Sequence, residues 1–225
     1  MQTVQKAGGI ASLFQAMIYI SAFIFFGAFW QYPVAMDAAT KLAYLVDNQL
    51  ILSVVYLIMY VLFGVLLAIL VMALHTRLKE KSPVLSQLAA IFGVVWVGLV
   101  IASGMLINIG LGAVVATSNP ESAMATWSTI KLIVEGIGGG NEVVGGLWVL
   151  LLSVAALKGS QFSKSLNYLG LLVGTAGILT IYPAEVFTEI FGLSQILWFL
   201  GLGITLLLTK DNEPLDDKVS LAIKS

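Results

Sequence analysis

The sequence predicts an all-α polytopic transmembrane helix bundle of six spans, with both termini cytoplasmic and one or two outer interfacial helices. Three observations carry this. Six long apolar runs fill the 225 residues almost from end to end, and a backbone crossing lipid must satisfy its own hydrogen bonds, which selects helices. Hydrophobic residues make up 59% and charged ones 10%, with a mean hydropathy of +1.00; a soluble domain carries roughly 25% charged residues. Finally, nine of the eleven basic residues gather on one side of the predicted spans, which by the positive-inside rule faces the cytoplasm.

The spans are expected at 9–30, 50–74, 84–114, 142–157, 166–182 and 190–209 within a single domain, 1–209. A short polar cytoplasmic tail follows at 210–225. The first run, after Lys6, is longer than a signal-peptide core and lacks a small-x-small cleavage pattern, so it reads as a retained helix. The third run is too long for a hydrocarbon core of about 30 Å and should tilt, protrude or break, with Gly110 and Gly112 as break points. Gly104, Asn108 and Gly112 recur every fourth residue along it, a stripe suited to close helix packing with an amide bridge. Gly170 and Gly174 repeat the small-xxx-small spacing in the fifth span.

Two outer segments read as helices lying along the membrane surface. In 37–48, Leu42, Leu45 and Val46 share a face, although this stretch also reads as an extension of the second span. In 120–135, Asn119 suits the cap and Pro120 the first helical position, with Met124, Trp127, Ile130, Ile133 and Val134 as the apolar side. Such a helix serves as a connector or as a lid over an outward-facing cavity.

Composition removes several chemistries. With no cysteine there are no disulfides or thiolate sites, and one histidine, His75, builds neither a multi-histidine metal site nor a catalytic triad. No retinal-type lysine lies inside a span. A net charge of −1 gives no nucleic-acid footprint. No cofactor is expected and no metal is assigned. Gln15, Asn108 and Gln195, the amides within spans, are expected to bridge helices.

The outer side carries seven acids against two lysines, whereas the inner side carries five acids against nine basic residues. Two acidic points stand out. Glu135 and Glu142 flank a glycine run, 136–140, with Asn141 suited to cap the fourth span and Glu142 falling in its first turn. Gly145 and Gly146 then narrow the helix beside Trp148. Further on, Glu185 and Glu189 lie four apart on one helical face, where like charges repel unless a cation or proton intervenes. If the outer ends of the fourth and sixth spans meet, Glu142, Glu185 and Glu189 can share a cation on oxygen ligands. The plain alternatives are a capped, tightly packed helix start and a solvated loop.

Lys6-Ala-Gly-Gly-Ile-Ala, Gly140-Asn-Glu-Val-Val-Gly-Gly-Leu-Trp148 and Tyr168-Leu-Gly-Leu-Leu-Val-Gly-Thr-Ala-Gly177 resemble a family of small bacterial multi-pass membrane proteins catalogued as a domain of unknown function. The resemblance covers most of 5–209 and implies a bacterial plasma-membrane protein of about six helices. It brings no ligand or catalytic residue with it.

The leading expectation is a non-enzymatic membrane protein that binds or transports a small cation or solute through an outward-facing acidic pocket. Its ligand residues are Glu142, Asn141, Glu185, Glu189 and Glu135. Two alternatives stand beside it. One is an accessory subunit whose glycine stripes bind other membrane proteins or a second copy. The other is an intramembrane enzyme acting on a lipid. The bilayer is the one partner every version shares.

Overall fold

The structure is a computed structural model that describes residues 2–139, 142–182 and 184–209. The tail expected at 210–225 and the candidate ligand Asn141 lie outside the described residues. Among the described residues every regular element is helical. Helix α1 spans Gln2–Ile24 and continues as a π-helical turn, Phe25–Phe29. Next come α2, Ala38–Asp47, and α3, Gln49–Tyr56, which runs through a π-helical stretch, Leu57–Leu62, into α4, Phe63–Leu78. Helix α5 is Pro83–Val115 and α6 is Pro120–Val134. After a turn at Glu135–Gly139 follow α7, Val143–Lys158, α8, Lys164–Leu179, and α9, Glu185–Leu208.

Five segments are long and apolar enough to cross a membrane: Gln2–Phe29, Gln49–Leu78, Pro83–Val115, Glu185–Leu208 and, taken together across the turn at Gly138, Pro120–Lys158. A multi-pass membrane protein follows. Helices α7 and α8, the expected fourth and fifth spans, have 16 residues each, about 24 Å at 1.5 Å per residue, and each by itself falls short of a full hydrocarbon core.

Six of the helices close into a ring. Helix α1 packs on α4, α4 on α5, α5 on α7, α7 on α8, α8 on α9, and α9 back on α1. The axis of the ring is filled by aromatic side chains. Tyr19 meets Phe63 at 5.6 Å between centroids, Phe63 meets Trp96 at 5.8 Å, Trp96 meets Trp148 at 5.6 Å, and Trp148 meets Trp198 at 5.7 Å. Trp198 stacks beside Phe199 at 5.6 Å, and Phe199 returns to Tyr19 at 6.2 Å. Edge-on and tilted pairs of this kind add about 0.5–1.5 kcal/mol each beyond burial. Lipid offers apolar surface as readily as a neighbouring helix does, so this shape-specific packing is what holds the ring together.

Helix α8 contributes no ring to this layer. Its glycines let α7 approach backbone to backbone instead. A Cβ at Gly174 would lie 2.7 Å from Leu150 N, and one at Gly170 would overlap the Ser153 hydroxyl. Both glycines are therefore used inside the bundle, and neither presents a stripe to another protein. Asn108 bridges as expected, accepting from the Ser53 hydroxyl and donating to Gly104 O at 3.0 Å. Gly104 abuts Tyr60. Gly112, the third member of the expected stripe, faces open space and packs against nothing.

Three further expectations are corrected. Helix α5 does not break at Gly110 or Gly112; it runs unbroken for 33 residues, about 50 Å. Its extra length is absorbed by an outer cap, where Ile107, Leu111 and Val114 pack with Leu45 of α2 and Ala123 and Trp127 of α6. Gly110 is the position where Ile130 of α6 seats. The first helix starts at Gln2 rather than residue 9, because the polar 2–6 segment is tied down. Gln5 donates to Leu206 O at 2.9 Å and accepts from Arg77 at 2.9 Å. The last helix begins at Glu185 rather than 190.

The caps behave as their residue types dictate. Asp37 accepts from Thr40 N at 2.8 Å at the start of α2, and Asn119 accepts from Ser122 N at 2.9 Å ahead of Pro120. Both outer helices turn their apolar faces slightly from the expected setting. Leu45, Ala123, Trp127 and Val134 are buried, while Val46 and Ile133 are exposed.

Candidate functional site

The start of α7 is set by three contacts. Gly138, with φ 110°, turns the chain back after α6 in a conformation that favours glycine. The Glu142 backbone N–H then donates to Thr180 Oγ1 of α8 at 2.8 Å. Below this, Gly146 lies against the α8 backbone, where a Cβ would come 2.6 Å from Ile178 N. Glu142 consequently occupies the cap position of α7 (φ −114°, ψ 24°) rather than its first turn, and its side chain makes no capping bond.

That side chain points into the bundle. It lines a cavity of about 100 Å³ together with Ile18, Tyr19 and Ala22 of α1, Met59, Tyr60 and Phe63, Trp96 and Val100 of α5, and Gly138. Glu142 Oε2 is fully enclosed and has no hydrogen-bond partner among the described residues. The Trp96 indole N–H is the side-chain donor that approaches the carboxylate, without closing a hydrogen bond of normal geometry. An ionised carboxylate in such surroundings carries a large desolvation cost unless a cation or a proton joins it. The cavity thus has one acid, aromatic faces and phenol tips, and among the described residues no basic side chain.

The other acids are placed elsewhere. Glu135, Glu185 and Glu189 are exposed, as are Asp37, Asp47, Glu80 and Glu121, which leaves Glu142 as the one acid among the described residues that is not. No three His, Asp or Glu side chains among the described residues gather closely enough to hold a metal ion. Glu142, Glu185 and Glu189 do not form such a group, and α8 packs against both α7 and α9.

A second space adjoins the first. A groove of about 340 Å³ runs between the end of α1 with its π-helical turn and the α3 stretch leading into the second π-helical segment. Ile18, Ala22 and Met59 line both spaces. The groove is apolar apart from the hydroxyl of Ser21, and Ile24, Phe29 and Ile58 on its walls are exposed on the outer surface of the bundle.

No family model, curated protein or solved structure matches the chain. The site is therefore interpreted from its own geometry.

Tyr19, Tyr60, Phe63 and Trp96 were not singled out from sequence. A usable signal existed for two of them. Tyr19 and Tyr60 place phenol groups inside long apolar runs, where a polar tip needs a partner. Gln15 and Gln195 were expected to bridge helices, yet both are fully buried with neither amide atom hydrogen-bonded among the described residues. His75 is settled beside Ser86, 3.0 Å from its Oγ, at the opposite end of the bundle.

Proposed function

We propose that this multi-pass membrane protein binds a small cationic solute at Glu142, and that binding there is one step in carrying the solute across the membrane. The observation that carries the reading is the enclosed, unpartnered Glu142 Oε2 in an aromatic cavity inside the helix ring. Acids inside membrane bundles are costly and mark ion or substrate paths. The turn after α6 supplies Gly138 to the cavity wall.

Six spans with both termini cytoplasmic belong to the same reading. In support, α8 is bracketed by α7 and α9 in a closed ring, and nine of eleven basic residues fall in the sequence segments expected on one side. The resemblance to small bacterial multi-pass proteins would put the protein in a bacterial plasma membrane. The accessory-subunit reading loses its anchor, because Gly170 and Gly174 are spent on internal contacts. A lipid-acting enzyme would need a second carboxylate beside Glu142, and none of the residues lining the cavity supplies it.

Flux tests the transport step. Proteoliposomes loaded with a panel of inorganic and ammonium cations should show saturable uptake of at least one cation, lost in Glu142→Gln. Absence of flux across the whole panel would refute transport.

A further inference from the structure

The cavity at Glu142 is too small for most organic solutes, and the space beside it is not. Its 100 Å³ suits a compact headgroup, while the 340 Å³ groove suits an apolar body. The two adjoin along Ile18, Ala22 and Met59, which line both. Both walls of the groove carry π-helical segments, Phe25–Phe29 and Leu57–Leu62. Such segments insert extra backbone into a helix, shift its register and recur at functional sites.

The chemistry of the lining selects the head. Ca²⁺ and Mg²⁺ need several oxygen ligands, and this cavity offers a single carboxylate with two phenols. Aromatic faces around one acid instead match an ammonium group, which binds through the ring quadrupole and needs no dense oxygen shell. Among the described residues no basic side chain lines the cavity or the groove, so none of them would receive the phosphate of a zwitterionic lipid.

We propose that the ligand is an amphipathic monocation, its ammonium head in the Glu142 cavity and its apolar body in the groove between the two π-helical segments, reached from the lipid side. This rests on the reading of Glu142 as a cation site and adds the class of cation and its route.

The test uses the full-length protein in lipid nanodiscs, with decyltrimethylammonium, tetramethylammonium, decanol and decylphosphocholine as probes. Binding is read by equilibrium dialysis and by the emission of tryptophan, since Trp96 lines the cavity. Decyltrimethylammonium should bind about tenfold or more tighter than tetramethylammonium, and Glu142→Gln should remove both. Ser21→Phe and Val55→Trp, at residues that line the groove and not the cavity, should bring decyltrimethylammonium down to the tetramethylammonium level. Both variants should keep tetramethylammonium binding and the ligand-free unfolding temperature, which shows that they fold.

The failures separate cleanly. Glu142-dependent binding of tetramethylammonium with no gain from the decyl chain, or no effect of either groove variant, overturns the amphiphile and leaves the cation site standing. Cation binding indifferent to Glu142→Gln overturns both. Equal Glu142-dependent binding of decylphosphocholine makes the occupant a lipid. Decanol binding as tightly as decyltrimethylammonium reduces the groove to an acyl-chain slot. Either result refutes the monocation.

Discussion

Replacing Gly146 by alanine should loosen the α7–α8 pair and release Glu142 from its position. The added Cβ would lie 2.6 Å from Ile178 N and 2.7 Å from Gly174 O, both backbone atoms that no rotamer change can move aside. Ordinary contact begins at 3.4 Å, so α7 must retreat by about 0.8 Å, and overpacking of this kind costs about 1–3 kcal/mol. One turn away, the Glu142 N–H to Thr180 Oγ1 bond of 2.8 Å would stretch to about 3.6 Å, beyond hydrogen-bonding distance. Its loss adds about 0.5–1.5 kcal/mol, for a total of about 1.5–4.5 kcal/mol. The assay is SDS-induced unfolding in mixed micelles, followed by tryptophan emission, with Gly112→Ala as the control. Gly112 meets nothing within 4 Å, so its alanine variant should stay within about 0.5 kcal/mol of wild type. If the two variants unfold together, α7 and α8 do not meet through their backbones, and the argument that fixes Glu142 at the cavity fails.

Other consequences follow from individual contacts. Arg77 donates to Gln5 at 2.9 Å and to Gln161 at 3.3 Å and stacks 5.0 Å over Phe162. Arg77→Lys cannot reproduce that fork and plane, and should cost about 1–2 kcal/mol with faster amide exchange at residues 2–6 and 159–163; unchanged exchange there would mean the latch is not formed. The Asp37 carboxyl is held below its usual value of 3.8, chiefly by the Thr40 backbone N–H. Its capping contribution is therefore full above 3.8 and fades as pH falls through the lower folded value. Amide exchange at residues 38–41 should rise in that acid range and already be raised at neutral pH in Asp37→Ala; a flat profile in both would remove the cap. Trp96→Phe keeps an aromatic ring beside Phe63 and Trp148 but deletes the donor approaching Glu142. It should weaken cation binding less than Glu142→Gln does, because the acid rather than the indole carries the charge, and the reverse order would move the centre of the site to Trp96.

Much of the helical layout was legible because lipid imposes it. Apolar runs became helices, and Asp37, Asn119 and Pro120 started helices where their side-chain chemistry puts them. What escaped the sequence depends on which faces meet. Helix α5 looked long enough to tilt, protrude or break, and of these a break did not occur, because α2 and α6 supply a cap that covers its surplus. The stripe Gly104, Asn108, Gly112 looked uniform, but its last member falls outside the contact. Glu142 stood out through its glycine-rich surroundings; its inward turn depends on Gly138 and Thr180, forty-odd residues apart in the chain and without a shared motif. The grouping of Glu142 with Glu185 and Glu189 rested on all three lying near outer helix ends. In the structure they do not form such a group.

The most direct test is thermal unfolding of the purified protein, wild type and Glu142→Gln, across pH with Na⁺, K⁺, Mg²⁺, Ca²⁺ and tetramethylammonium. A cation that binds only the folded state stabilises it by about 2.7 kcal/mol at a hundred times its Kd. The account predicts stabilisation by at least one cation in the wild type and none in the variant, whose ligand-free stability equals or exceeds that of the wild type because a buried acid has been made neutral. Equal cation responses in the two proteins, or none in either, would contradict it.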